Sequence, residues 1–399
     1  MASAGIPMPA MEQQRTEYDL ASNPLATVEL TVVALVSLLP FFFERLPVEL
    51  AAPYATAFGG VVSKAIIVLG MGLIIAIRAR LGRTQHSPSF FVVSIMIGLA
   101  GLMTAYHFFL VDRIHSSWQK QLYLDILNHR GEIPHRYRFL PYGFTRTLEW
   151  ITGDWWFACL AYRWFFTYWF LEAAYLFARL YLPERLARWT LLPLVCLYPF
   201  SVLYYWGQLT DPMSHAFFGL ALLYTVQNRW LLLALVLALG ILTKETAVLL
   251  VVSYFVCYLH EGRKGIGRTA ILLVICMAAY LATHLPLGWG LDFGKFNNTS
   301  GLMVRHNLFG SDTYSLAAPL AMNYILPLLF FGPFLPFLVW KWERIDRKLR
   351  AIFLTLTPLL LLSNLCFGWM YEARNYMPLV PLLATMAFQN WNQEIEEKA

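Results

Sequence analysis

Charge is scarce in this sequence. Only 14% of its 399 residues are Asp, Glu, Lys or Arg, against roughly 25% in a soluble domain. With 58% apolar residues and a mean hydropathy of +0.54, the chain is too apolar to be dissolved in water as a globular domain. Cysteine is also sparse. The five, Cys159, Cys196, Cys257, Cys276 and Cys366, all lie in apolar segments and none forms a CxxC. Free, buried thiols are expected, with neither a disulfide framework nor a zinc site. No metal-ligand spacing, phosphate-cradling glycine loop or nucleophile motif is present, so no metal is assigned. A divalent ion is not indicated, although the sequence leaves room for one. The N-terminal residues Met1 to Asn23 lack a basic stretch leading into an apolar core and cleavage site, which argues against a signal peptide. A net charge of +6 is no nucleic-acid signature, because the basic residues of a membrane protein collect in its cytoplasmic loops.

Long apolar runs and aromatics are what the chain has. A spanning helix needs roughly 20 apolar residues, and about twelve candidate segments are found on that measure. They lie near 26–43, 59–78, 89–111, 155–182, 189–206, 213–227, 229–243, 246–260, 269–286, 318–340, 351–370 and 375–391. The sixth to eighth are short and open to tilting, re-entry or merging. The fourteen tryptophans suit aromatic belts at two interfaces. The expected fold is all-α, a polytopic transmembrane helical bundle. Its parts are a cytoplasmic tail over 1–24, two N-terminal helices within 25–88, a membrane module over 89–391 and a short tail over 392–399.

Orientation follows from the basic residues. Arg78, Arg80 and Arg83, then Arg185 and Arg188, Arg229, Arg263, Lys264 and Arg268, and the Lys341 to Arg350 cluster fall in alternate loops. The positive-inside rule makes that side cytoplasmic. Both termini are then cytoplasmic, and 112–154, 288–315 and 371–375 face outward.

The loop from Asp112 to Asp154 is the polar centre of the sequence. It carries six Lys or Arg residues between Arg113 and Arg146, against the charge rule. An anionic ligand is the natural reason for them. Ser116 or Ser117 is expected to cap an interfacial amphipathic helix starting at Trp118. Gly131 would end that helix and Pro134 would prevent its resumption. A second juxtamembrane element is expected over Phe144 to Ile151.

Five groups of residues could carry chemistry. Asp112, ending a span at the outer face, suits a general base; the plain alternative is a solvated charge paired with Arg113. Arg136 and Arg138, in His135-Arg136-Tyr137-Arg138, would point together on extended backbone. Paired guanidiniums suit the oxygens of a phosphate, and lipid headgroup contact explains them equally. Asp211, before Pro212, reads first as a helix cap, a place that also faces anions. Lys244 and Glu245 interrupt an apolar run, where an unpaired charge costs roughly 2.5–3.5 kcal/mol. Lys244 could hold a phosphate and Glu245 could orient an arginine or a sugar hydroxyl; pairing with each other is the alternative. Glu372 and Arg374 form another outward turn. Arg163 and Glu172, inside the fourth span, are expected to pair with other helices. Asn297 to Ser300 match glycosylation sequons, and Arg305, His306 and Asp312 lie in the same loop.

Together these pieces resemble the GT-C superfamily of integral membrane glycosyltransferases. The resemblance is carried by Asp112 after a span and by the loop with Trp118, Tyr123, Gly131, Pro134 and Tyr137 to Pro141. Thr210-Asp211-Pro212, Thr243-Lys244-Glu245-Thr246 and Glu372 to Pro381 extend it over roughly 89 to 385. It implies a polyprenyl-phosphate sugar as donor, inversion at the anomeric carbon, and a lipid, glycan or protein acceptor. Carried over, Asp112 is the base, with Asp125 as the alternative. Arg136, Arg138, Lys244 and Arg374 hold the departing lipid phosphate. Glu245 and Glu372 orient them, with His135 and Asp211 nearby. In a bacterium the place would be the plasma membrane, with the site on its outer face. A transporter or flippase for an anionic lipid or sugar phosphate, or a polysaccharide polymerase, are the other readings. Transporters place charges near the midplane and often carry inverted repeats, whereas here the charges gather at the outer ends.

Overall fold

The computed structural model describes residues 24–43, 57–81, 88–131, 135–202, 208–287, 304–309, 321–340 and 342–398. The N-terminal tail, Pro134, the sequons and Asp312 lie outside these, as do the side chains of Arg305 and His306. Among the described residues all regular structure is helical. The helices are α1 (Pro24–Phe43), α2 (Ala57–Leu81), α3 (Phe90–His107), α4 (Ser116–Leu127), α5 (Phe139–Thr152) and α6 (Trp155–Arg179). There follow α7 (Glu184–Trp189), α8 (Leu191–Val202), α9 (Thr210–Val226), α10 (Trp230–Thr243), α11 (Leu249–Tyr258) and α12 (Arg263–His284). The last are α13 (Val304–Phe309), α14 (Met322–Phe331), α15 (Leu335–Val339), α16 (Arg347–Phe367) and α17 (Val380–Lys398). Each of the twelve apolar segments contains helix.

Helices α6 and α9 form the centre. All of α9 is buried, and α6 is buried along most of its length. Gly219 lets them approach: a Cβ there would stand 3.2 Å from Ala173 Cβ and from the Phe170 ring. Helix α12, in contrast, shows Ile266, Ile271, Leu273, Val274 and Met277 on its outside. Broad apolar surfaces of this kind are not left to water. Three helices, Phe90–Asp112, Arg263–His284 and Arg347–Phe367, are long and apolar enough to cross a bilayer. These are the properties of a membrane protein.

Hydrogen bonds define two ends. At one, Tyr258 donates to the Thr225 carbonyl (2.7 Å), Asn228 donates to Glu261 (3.2 Å), and Arg268 reaches the same carboxylate (3.3 Å). At the other end the last turn of α3 meets the N-terminal part of α6, the first turn of α9, the end of α10 and the Ala373–Asn375 turn before α17. The polar loop between α3 and α6 covers this second end. Helix α1 packs on α5 there, where Thr147 donates to the Val36 carbonyl at 2.7 Å.

Four local expectations need correction. Helix α4 begins at Ser116, with His115 as N-cap and no side-chain cap, so the serines lie inside its first turn. It stops at Leu127, and His129, at φ 57°, makes the left-handed turn assigned to Gly131. Helix α5 starts at Phe139, five residues before the expected Phe144, because Pro141 fits a first turn that needs no amide donor. Among the cysteines, Cys159, Cys257 and Cys276 are buried thiols, but Cys196 is exposed on the outside of α8 and Cys366 is partly exposed.

Candidate functional site

The site begins where α3 changes pitch. Residues Phe108–Asp112 form one wide π turn, a distortion common at functional sites. It carries Val111 and Asp112 to the inside of the bundle. Asp112 is therefore 1% exposed, where solvated pairing with Arg113 was the alternative. Its Oδ1 accepts from Arg163 Nη2 at 3.0 Å, and His107 Nε2 stands 3.7 Å away. The Oδ2 atom has no hydrogen-bond partner among the described residues. His107 Nδ1 lies 3.0 Å from the Tyr198 hydroxyl. Arg163 thus pairs with another helix, as expected for it. Asp125 lies apart, on the partly exposed face of α4, where it accepts from Gln121 at 2.8 Å.

A second group forms around Asp211. Helix α9 starts at Thr210 with Leu209 as its N-cap and no side-chain cap bond, so Asp211 is not the cap. Its side chain instead receives Lys244 Nζ on Oδ1 (3.4 Å) and Arg374 Nη1 on Oδ2 (3.1 Å). Arg374 Nη2 also donates to Glu372 Oε1 at 2.8 Å. Asn375 completes the ring, accepting from Lys244 at 2.6 Å and donating to Glu372 at 3.1 Å. His215 Nε2, 2.9 Å from the Arg374 carbonyl, is the donor there and fixes the turn from below. Burial lowers the pKa of the Lys244 ammonium, and Asp211 pulls it back up.

The third group ties the loop to the α10–α11 turn. Arg138 donates from Nη2 and Nε to Glu245 Oε2, at 2.8 and 3.1 Å. Lys244 and Glu245 therefore pair with separate partners and not with each other. Residues His135–Tyr137 form a tight 3-10 turn, which removes the alternation expected of extended backbone. Arg136 turns to the Tyr137 hydroxyl (2.8 Å) and lies over its ring, whereas Arg138 pairs with Glu245. Tyr137, His284 and Tyr280 stack at ring separations of 3.7 and 3.6 Å, and so join the loop to α12.

His135 is partly exposed, but its Nδ1 is sealed and finds no partner among the described residues. Burial pushes its pKa down to about 3, with Arg138 and Arg374 adding to the effect. The folded pKa lies below the ordinary value of about 6.5, so the unfolded chain binds the extra proton first. Stability is expected to be unaffected by His135 above pH 6.5 and to fall as the pH drops from 6.5 toward 3. Thermal unfolding across that range, with His135→Gln losing this part of the slope, is the check.

A cavity of about 20 Å3 lies between α3, α6, α8 and α9, bounded by His107, Phe170, Tyr198, Asp211, His215 and Arg374. That is room for one water-sized group. It joins the Asp112 group, through His107, to the Asp211 group. The site thus differs from the expected arrangement in its centre. Lys244 and Arg374 converge on Asp211, Arg138 on Glu245, and Asp112 belongs to Arg163. His107, Arg163 and His215 are the residues that the sequence reading did not assign to the site. A histidine inside an apolar segment, five residues before Asp112, was the available signal for the first. Among the described residues no three His, Cys, Asp or Glu side chains gather as a metal-ligand set. No family model, curated protein or solved structure matches the chain.

Proposed function

We propose that this chain is a membrane glycosyltransferase that moves a sugar from a polyprenyl-phosphate donor to an acceptor hydroxyl, with inversion. The observation that carries the reading is the convergence of Arg138, Lys244 and Arg374 from three distant segments at one end of the bundle. A buried carboxylate, Asp112, lies beside His107, which lines one cavity together with Arg374 and Asp211. The twelve helical segments cross the membrane, both termini are cytoplasmic, and this end of the bundle faces outward. In a bacterium that is the periplasmic side of the inner membrane.

The chemistry needs two things. Breaking the glycosidic bond builds charge on the lipid phosphate, and cations already in place stabilise that charge selectively in the transition state. Asp211 and Glu372 hold Arg374, and Glu245 holds Arg138, so the cations are gathered at one end of the bundle before the donor arrives. The acceptor hydroxyl is a poor nucleophile until a base takes its proton. Asp112 Oδ2 is the unengaged oxygen for that step, while Oδ1 is held by Arg163. Because the cavity holds little more than a water, substrate binding must open the ion pairs, and the phosphate oxygens then share the cations with the carboxylates.

The test supplies polyprenyl-phosphate sugars to purified protein in bilayer discs and follows release of polyprenyl phosphate. Wild type should turn over, and Arg138→Ala should raise the donor KM by about 10-fold, the loss of one charge-assisted contact. Absence of turnover with every donor, together with lipid movement across vesicles, would replace this reading with transport.

A further inference from the structure

His107 and Asp112 are five residues apart, a spacing that on an α-helix turns two side chains to different sides. The π turn changes this. Its closing bond runs from the Arg113 amide to the Phe108 carbonyl at 2.9 Å, so residues five apart stack along one face. His107 stands at the start of the turn and Asp112 at its end, and the imidazole Nε2 comes to 3.7 Å from Asp112 Oδ1. Arg163 Nη2 reaches the same oxygen at 3.0 Å. Both nitrogens thus converge on Oδ1, while Oδ2 has no hydrogen-bond partner among the described residues.

The far side of the ring is held as well. His107 Nδ1 lies 3.0 Å from the Tyr198 hydroxyl on α8. The two rings are tilted at 45° with centroids 6.3 Å apart, so this contact is a hydrogen bond and not a stack. His107, Asp112 and Tyr198 are all buried. A neutral imidazole carries one N–H, and the bond made by one nitrogen sets the state of the other. A hydrogen on Nδ1 would turn the Nε2 lone pair toward an anionic oxygen, a repulsion that burial strengthens. A hydrogen on Nε2 faces the carboxylate, and Nδ1 then accepts from the Tyr198 O–H. Arg163 already balances the charge of Asp112, so a second proton on the ring would bury a net positive charge.

We propose that His107 is a positioning residue for the base. Held by Tyr198 as the neutral Nε2–H form, it acts with Arg163 to fix Oδ1, and so presents Oδ2 to the acceptor hydroxyl. This rests on the function proposed above. The 3.7 Å separation is an electrostatic contact in the unliganded protein, and catalytic hydrogen bonds commonly tighten once substrate is bound.

Two measurements test the proposal. The imidazole nitrogen NMR signals of His107, assigned by their loss in His107→Gln, should show a protonated Nε2 and a bare Nδ1. Tyr198→Phe should move the Nδ1 signal, which loses its hydrogen bond. The second measurement is turnover of a polyprenyl-phosphate sugar. His107→Leu should lower kcat about 10-fold at an unchanged donor KM, as for one lost hydrogen bond to a charged group. His107→Gln, whose amide can place an N–H near the Nε2 position, should recover most of that kcat. If the leucine variant does not fold, Tyr198→Phe replaces it, with kcat again lowered and KM unchanged. A ring protonated at Nδ1 would overturn the proposal. So would a glutamine variant no better than the leucine one, since the side chain would then only fill space. An active wild type with an indifferent His107→Leu removes the proposal and leaves the transferase reading intact. A wild type that turns over no donor removes both.

Discussion

Asp112→Asn is expected to lower sugar transfer by about 10^2- to 10^4-fold, the range of a lost general base. The amide keeps the shape and can still accept from Arg163, but it cannot take a proton from the acceptor. The same change strips the charge from a pair in which both side chains are 1% exposed. Breaking such a pair on one side costs about 3–5 kcal/mol, because the other charge is left buried. Loss of activity must therefore be separated from loss of fold. Arg163→Leu alone should be destabilised by a similar amount, about 3–5 kcal/mol. The double variant Asp112→Leu with Arg163→Leu should recover most of that stability, since two buried charges leave together, and should remain inactive. Thermal unfolding and polyprenyl phosphate release, measured on all four proteins, decide the matter. Full turnover by Asp112→Asn would move the base to another residue.

Asp211→Asn carries the second large effect, and it has two opposite signs. Asp211 holds Lys244 and Arg374 together, so its neutralisation leaves two buried cations facing one remaining carboxylate, Glu372. Unliganded stability should fall by about 3–5 kcal/mol. The same excess positive charge should make an anion more welcome. Polyprenyl phosphate should then raise the unfolding temperature of Asp211→Asn by more than it raises that of wild type, since a ligand that binds only the folded state stabilises it according to its affinity. If the ligand restores nothing extra, these two cations are not the phosphate seat. Lys244→Met should show the converse, weak stabilisation by the lipid.

The contrast between the two carboxylates explains why the site could be read only in part from the chain. Lys244, Arg374, Arg138 and Glu245 stand out in sequence because charge inside apolar surroundings is costly and needs a local reason. Which carboxylate each cation meets is a different question. Arg374 and Asp211 are 163 positions apart, Arg138 and Glu245 are 107 apart, and Asp112 and Arg163 are 51 apart. No periodicity or spacing rule reaches across such distances. The extended reading of Arg136 and Arg138 failed on the 3-10 turn over His135–Tyr137. The capping role expected of Asp211 gave way to two cations that outcompete backbone amides for its oxygens.

By itself the sequence determined the helical class and the approximate position of the long apolar helices, but not the short helices α7 and α13 or the break between α14 and α15. Hydropathy and helix propensity act over a few neighbouring residues, and those residues are contiguous in the chain. It also determined that the polar turns at 112–154, 243–246 and 371–378 would be special, since each interrupts apolar surroundings. Only the tertiary structure decided that Asp112 is turned inward by a π turn against Arg163, and that Asp211 gathers Lys244 and Arg374. Those outcomes depend on how α3, α6, α9 and α10 pack side by side. Packing brings together groups that the linear order keeps far apart.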